Sequence, residues 1–448
     1  MPSTTIISRE TAHAALNGAL TRLFSFGGPA ADMQYDDATL TLTSVGTPDP
    51  FVTRAGGRFY MTFTTGNRIE IWSSRSLVDI ESSATKHVIW TPPPGTDHSA
   101  DLWAPELHAL RGRWYVYYAA AHPAHGNKSH RMYVLGGPRA DEDPCHGQWE
   151  FLGRIHGTPP DQWAIDGTVF ELDRAGAPEL YLVYSGWPID RHGNPVDRDS
   201  DLEQQLFIAR LDDPTTISSS SSSPSVPVMI SRPDQPWEIT RDAEGRGHGI
   251  NEGPQFLRAP DGSWAGLVYS CAGSWTPEYK MARLRYVRGD ADPLDPASWR
   301  KGRAPLLVGG GCGPYGPGHG CFLDFDSGAA EGGREKVVVV AVYHATDSPA
   351  DGWENRCARV RRVAFTGAGP FMGVGPSGER RRGGLVARLK AKVARLGLGP
   401  GLGLGHGRGG GSGSGRKGDQ MSGVEGLRAL LEGGGAADGG AGAGAREL

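Results

Sequence analysis

The sequence predicts an all-β chain, arranged as a five-bladed β-propeller, on three observations. From Asp49 to about Phe371 it alternates short segments rich in Val, Tyr, Phe and Trp with clusters of Gly, Pro, Asp and Asn. Residues of the first kind favour strands and those of the second favour turns. No long amphipathic helical period interrupts this stretch. Finally, one phrase occurs five times: a polar or acidic opening residue, a short alternating strand, a turn, and an aromatic-rich or β-branched strand.

The five copies run in order along the chain. Asp49-Pro50-Phe51-Val52 passes the turn Gly56-Gly57-Arg58 and reaches Phe59–Phe63. Trp103–His108 passes Arg111-Gly112-Arg113 and reaches Trp114–Tyr118. Asp166–Phe170 leads to Leu180–Tyr184, and Glu252–Phe256 leads through Pro260–Ser263 to Gly266–Tyr269. His319–Leu323 leads to Val337–His344. The opening residues lie 54, 63, 86 and 67 positions apart. A four-stranded blade takes about 40–50 residues, more with long loops. The longest step contains the serine run Ser218–Ser223, read as a surface insertion. A β-sandwich also uses short strands but gives no reason for a fivefold recurrence. Five units closing in a ring would set the opening residues near one mouth of a central channel.

The flanks read differently. Residues 1–44 form a lead-in with apolar helical spacing around Glu10–Phe24, and 45–372 form the propeller. Residues 373–448 form a low-complexity tail: 23 of the last 68 residues are glycine, too few apolar groups to offset the entropy of ordering, so disorder is expected. Within it, Leu385–Leu396 has helical spacing and a basic face, read as a transient solvated helix rather than a membrane-surface element.

A formal net charge of −4 gives no electrostatic reason to expect nucleic acid. No apolar run approaches the roughly eighteen residues of a membrane helix, so no membrane association is expected. No signal peptide is visible, which reads as cytoplasmic, or as secreted if the N-terminus is truncated; Asn127-Lys128-Ser129 is a sequon that matters only in the second case. Of the five cysteines, Cys312 and Cys321 flank a Gly/Pro-rich loop and could pair in an oxidising compartment; five reduced thiols is the competing reading. Oligomeric state is left open.

Three carboxylates, Asp49, Asp166 and Glu252, open separate copies of the phrase and would converge in a ring. Cleavage of a glycosidic bond needs such a set: an acid to protonate the leaving oxygen and a carboxylate to activate water or attack the anomeric carbon. A third can orient the acid and raise its pKa by like-charge proximity. Plainer readings exist: Asp49-Pro50 as a turn start, Asp166-Gly167 as a hairpin, Glu252 as an exposed loop acid. Trp103 is a candidate platform for the C–H face of a sugar, or else a core side chain between blades. Glu106 and His108 share a strand face and are expected to hydrogen-bond behind the chemistry. Trp187 is read equally as lining the cleft or as packing, and Arg356 as binding a sugar hydroxyl or a carboxylate.

Asp49-Pro50-Phe51, Trp103–His108, Ile165-Asp166-Gly167, Asn251–Pro254 and Gly316–His319, in this order, resemble the motif set of glycoside hydrolase family 43; Leu294–Trp299 and Asn355-Arg356 with Arg359 extend the likeness. It covers about residues 45–366 and looks nearest to exo-acting α-L-arabinofuranosidases, with β-xylosidases sharing the same frame. The resemblance implies a five-bladed propeller and an inverting mechanism. It makes Asp49 the general base, Glu252 the general acid and Asp166 the tuner of that acid, with Trp103, Glu106, His319, Arg356 and Trp187 on the substrate side. The implied substrate is an arabinose-containing oligo- or polysaccharide, and no organic cofactor is implied. It also suggests a structural calcium or sodium ion at the channel centre touching His319 directly or through water, the alternative being a hydrogen-bonded inner histidine. Gly320 departs from the family, which often has Asn after this Gly-His. A non-catalytic carbohydrate-binding propeller is the rival reading from another class.

Overall fold

The computed structural model of the chain describes residues 39–174, 176–196, 203–219, 226–287, 291–310, 313–331, 334–374 and 424–433. Glu10–Phe24, Leu385–Leu396, Cys312 and most of the serine run lie outside these residues. The described chain is nearly all strand, as expected.

Four sheets account for it. The first is Phe51–Ala55, Arg58–Thr62, Ile69–Ser74 and Thr85–Trp90; the second is Ala100–Leu110, Arg113–Ala121, Arg131–Arg139 and Glu150–Arg154. The largest sheet holds two antiparallel runs, one begun by Ala164–Arg174, Ala177–Gly186 and Glu203–Asp213, the other by Gly247–Arg258, Ala265–Cys271 and Lys280–Tyr286. A short parallel pairing, Glu203 with Gly249 and Gln204 with Ile250, joins the runs. In the last sheet, Tyr315–Glu331, Arg334–Thr346 and Cys357–Thr366 are completed by Thr39–Thr41, which pairs with Arg359–Arg361. The earliest described strand therefore finishes the sheet made by the end of the β region.

The first strand of each run packs against the first strand of the next, and Tyr315–Glu331 packs back on Phe51–Ala55. The apolar core is divided in the same way. One cluster joins Tyr60, Ile69 and Ile71 to Leu107, Trp114 and Tyr118; others join Tyr117 to Trp163, Tyr181 to Tyr269, Val268 to Val339, and Met61 to Val342. Each second strand is thus covered on both faces. That explains why Trp114–Ala121 is buried throughout and reads as a continuous apolar run rather than an alternating one.

Ten residues of the tail depart from the expected disorder. Val424–Gly433 is a helix whose Leu427 and Leu431 are buried among Leu40, Leu42, Leu77 and Phe325. The spacing Leu427, Leu430, Leu431 makes one apolar stripe, which a Gly-rich background hides in a composition-based reading. Burying a leucine is worth about 1.5–3 kcal/mol, part of which offsets ordering the helix. The double variant Leu427→Asp/Leu431→Asp is therefore expected to lower stability by about 1–3 kcal/mol and the thermal midpoint by a few degrees, with activity at 25 °C retained. Differential scanning calorimetry checks this; an unchanged midpoint would mean that the helix contributes nothing to closure.

Candidate active site

The first strands of the five antiparallel runs share a backbone device. Asp49, Ala104, Asp166, Gly253 and His319 all have positive φ, between 43° and 56°. For the last four, strand register shifts at or next to the kink, between Trp103 and Glu106, Ile165 and Thr168, Glu252 and Gln255, and Gly318 and Gly320. Such a bulge removes an amide from the ladder and re-aims its side chain. The freed amide needs a partner, and at four of the five a side chain of a neighbouring run supplies it. Asp49 N–H donates to His344 Nδ1 at 3.0 Å, Ala104 N–H to Thr64 Oγ1 at 2.7 Å, Gly253 N–H to Asp166 Oδ2 at 3.0 Å and His319 N–H to Ser270 Oγ at 2.7 Å.

This corrects two of the five opening residues. In the second and fourth runs the kink falls on Ala104 and Gly253, so Trp103 and Glu252 sit one residue before it. Asp49, Asp166 and His319 occupy the kink itself. Glu252 meets Tyr279, whose hydroxyl donates to Glu252 Oε1 at 2.7 Å. Tyr279 reaches that position by lying flat against Gly318, where a Cβ would meet its ring at 2.1 Å.

Asp49, Asp166 and Glu252 converge in one buried cluster, 9%, 4% and 7% exposed. Their surroundings differ. Asp49 Oδ2 accepts from Thr64 Oγ1 at 2.7 Å, and Oδ1 accepts from Arg356 Nη1 at 3.2 Å. Burial alone would raise its pKa, but Arg356, then His319, outweigh it and hold Asp49 well below the usual range. His344 Nδ1 lies 3.3 Å from Asp49 Oδ1 but accepts from the Asp49 amide, and burial pulls its imidazole down to about 4. It is therefore a neutral acceptor at this position and not an ion-pair partner.

The other two carboxyls are pushed upward. Burial first, then the Asp166 charge, raises Glu252 to about 8, against the Tyr279 hydrogen bond and His319. Burial, then Asp49, raises Asp166 well above its ordinary value in spite of the Gly253 amide. Asp166 and Glu252 thus behave as a pair that keeps a proton into the neutral range. The cluster presents an ionised carboxylate beside a protonated one. That is the combination needed for concerted proton abstraction and donation.

The model of the family described as Glycosyl hydrolases family 43 matches residues 41–369. The chain belongs to this family of glycoside hydrolases. An extracellular exo-α-(1→5)-L-arabinofuranosidase of Streptomyces chartreusis is 32% identical over 301 residues, 66% of this chain and 79% of that protein. The α-L-arabinofuranosidase B of Pyricularia oryzae is 30% identical over 345 residues, 73% of this chain; the chain spans only 61% of that relative's length. Among solved structures, the α-L-arabinofuranosidase of Lactobacillus brevis superposes with a TM-score of 0.59 at 28% identity, covering 75% of this chain and 96% of its own. An all-β fold consistent with the family 43 propeller agrees with the strand content.

The remaining candidate residues of this family 43 enzyme divide clearly. Trp103 is partly exposed and stacks on His130 at 3.9 Å, so one ring face is braced and the residue is neither free nor fully core. Glu106 is buried and hydrogen-bonded on both carboxylate oxygens. It is 3% exposed, with Oε2 2.8 Å from His108 Nε2 and Oε1 accepting from Gln255 Nε2, contributed by another run. Trp187 is buried and stacks on Trp163 at 5.1 Å, a packing role. Arg356 is committed to Asp49. Cys321 is a free thiol whose Sγ accepts from the Val52 amide at 3.0 Å, while Cys312 lies outside the described residues.

His319 Nδ1 lies 3.3 Å from Asp49 Oδ1 and 3.8 Å from Asp166 Oδ2, between the two aspartates. Among the described residues, no group of three or more His, Cys, Asp or Glu is arranged to hold a metal ion. Thr64, Tyr279, His344 and Gln255 were not singled out as site candidates. Thr64 and Tyr279 lie in loops and His344 on a second strand, while Gln255 sits three residues after Glu252 on the same strand; only tertiary packing brings them to the cluster.

Proposed function

We propose that this chain is a five-bladed propeller that releases terminal α-L-arabinofuranose from arabinan or arabino-oligosaccharides by a single inverting displacement. The observation that carries the reading is the convergence of Asp49, Asp166 and Glu252 in one buried cluster, with Arg356 on Asp49 and Tyr279 on Glu252. Glu252 donates its proton to the glycosidic oxygen as the C1–O bond breaks. Asp49 takes a proton from the water whose oxygen bonds C1 from the opposite face. Asp166 holds the Gly253 amide beside Glu252 and raises its pKa, Arg356 keeps Asp49 ionised, and Trp103 offers an aromatic face to the sugar. The cyclic contact of the five first strands and the five shared cores support the blade count. The arabinofuranosidase names of the relatives above support the pentose.

Proton NMR of the first product from an α-arabinofuranoside tests the stereochemistry: the β anomer is expected, and initial release of the α anomer would overturn single displacement. Hydrolysis of nitrophenyl α-L-arabinofuranoside over nitrophenyl β-D-xyloside separates this reading from a β-xylosidase. Turnover of neither would favour a carbohydrate-binding module.

The pH–rate profile should be bell-shaped, rising as Asp49 ionises and falling as Glu252 loses its proton near 8. Two variants should move the alkaline limb in opposite directions. Asp166→Asn removes a charge that raises Glu252, so the limb shifts to lower pH, by about one unit or more. Tyr279→Phe removes a hydrogen bond that favours the ionised form, so the limb shifts to higher pH, by under about one unit. Shifts of kcat/KM in the same direction would sink this account of how Glu252 is tuned.

A further inference from the structure

Two loops deliver groups to the carboxylates, and both end in an exposed tryptophan. The loop between Ala265–Cys271 and Lys280–Tyr286 carries Trp275 four residues before Tyr279, the partner of Glu252. The loop between Arg334–Thr346 and Cys357–Thr366 carries Trp353 three residues before Arg356, the partner of Asp49. The Arg356 guanidinium joins the second loop's tip to the base: its Nε donates to the Trp353 carbonyl at 3.0 Å while Nη1 donates to Asp49. The two indoles meet edge-on at 5.6 Å between centroids, and Trp353 Nε1 donates to Ser274 Oγ at 3.1 Å across the loops. His248 lies edge-on to Trp275 at 6.4 Å.

Among the described residues, five large apolar side chains are exposed, and the two aromatic ones are these, Trp275 at 37% and Trp353 at 60%. A lone exposed tryptophan needs no explanation. Two that touch and are cross-linked by a hydrogen bond expose rigid apolar faces, each with a polar N–H edge, at the rim of a site that handles a polyhydroxylated substrate. Rings of this kind suit the C–H faces of sugars at little cost in side-chain entropy. The leaving group departs from the side where Glu252 protonates it, and Trp275 belongs to the loop that holds Glu252.

We propose that Trp275 and Trp353 form a binding platform for the pentose residues on the leaving-group side of the scissile bond, selecting chains over short saccharides. This rests on the arabinofuranosidase reading above. On a disaccharide, the single leaving residue reaches the platform little or not at all; on a longer linear chain, the next residues lie on it.

The test compares kcat/KM of the full chain and of Trp275→Ala, Trp353→Ala and the double variant on a linear arabinose disaccharide and pentasaccharide. The ratio of pentasaccharide to disaccharide is expected to fall roughly tenfold in the double variant through KM, with kcat retained. An unchanged ratio, or equal loss on both substrates, would overturn the platform. If the unaltered protein hydrolyses neither saccharide, the arabinofuranosidase reading itself fails, and with it this one. Titration calorimetry of the pentasaccharide on Glu252→Gln protein with and without the tryptophans gives a binding readout free of turnover; equal affinities would also overturn the proposal. Sedimentation velocity covers the remaining occupant, a second copy of this chain: a dimer lost in the double variant with the ratio unchanged would assign the patch to self-association instead.

Discussion

Replacing Glu252 with glutamine is expected to lower kcat on unactivated arabino-oligosaccharides by about 10²–10⁴-fold, the usual worth of a positioned general acid. Glutamine keeps the shape and still accepts from Tyr279, but it has no acidic proton for the leaving oxygen. A nitrophenolate leaves without that proton, so the loss on nitrophenyl substrates should be markedly smaller. The same variant should be more stable than the parent, and the sign follows from linkage. The folded pKa of Glu252, about 8, lies above its unfolded value near 4.5. The unfolded chain therefore ionises first, and the parent loses stability as pH rises through that window. Glutamine does not titrate, so its advantage grows from pH 4.5 to 8, to about 1–3 kcal/mol. Thermal unfolding across this range, beside single-turnover rates on both substrate types, checks both halves. Wild-type turnover of the oligosaccharide would remove Glu252 as the acid.

Asp49→Asn is expected to cost a comparable factor, about 10²–10⁴ in kcat, but without leaving-group dependence. Water must be deprotonated whichever group departs, so nitrophenyl substrates should suffer as much as natural ones. The stability effect has the opposite sign. The folded pKa of Asp49 is depressed, so its contribution is present above the unfolded value near 3.8 and is lost as pH falls through the folded one. At neutral pH the variant also leaves the largely buried Arg356 guanidinium without its carboxylate. It should therefore unfold more easily than the parent at pH 7 and approach it below about pH 4. Equal stability of the two at pH 7 would mean that Arg356 does not hold Asp49 ionised.

Much of this was legible in the residues. The alternation of β-formers and turn residues identifies the fold class, and Asp49, Asp166 and Glu252 stand out because a fixed local frame recurs around them. The alignment of that frame was less secure. Matching the most polar residue of each copy puts Trp103 and Glu252 in register with Asp49, whereas the backbone aligns Ala104 and Gly253 with it. A better signal lies one residue on: Pro50, Pro105, Gly167, Pro254 and Gly320 each follow a kink. Positive φ with a following Pro or Gly is a backbone requirement, and it is more regular than the side chain it aims.

What the sequence alone determined was which residue types are available at each recurrence, and so the class of chemistry. Local sequence cannot specify which of two similar carboxyls is the acid, because pKa is set by burial and by neighbours hundreds of positions away. Arg356 and His344 reach Asp49 only because the last sheet packs against the first, and Tyr279 reaches Glu252 only over the bare backbone of Gly318. Glu106, conspicuous in its motif, is hydrogen-bonded by Gln255 from another run. Trp275 and Trp353, conspicuous in no motif, become neighbours only when folding brings their two loops together. The physical reason is common to all of these. Coulomb terms, desolvation and ring contacts act through space over a few ångströms, and only the tertiary structure decides which residues share those ångströms.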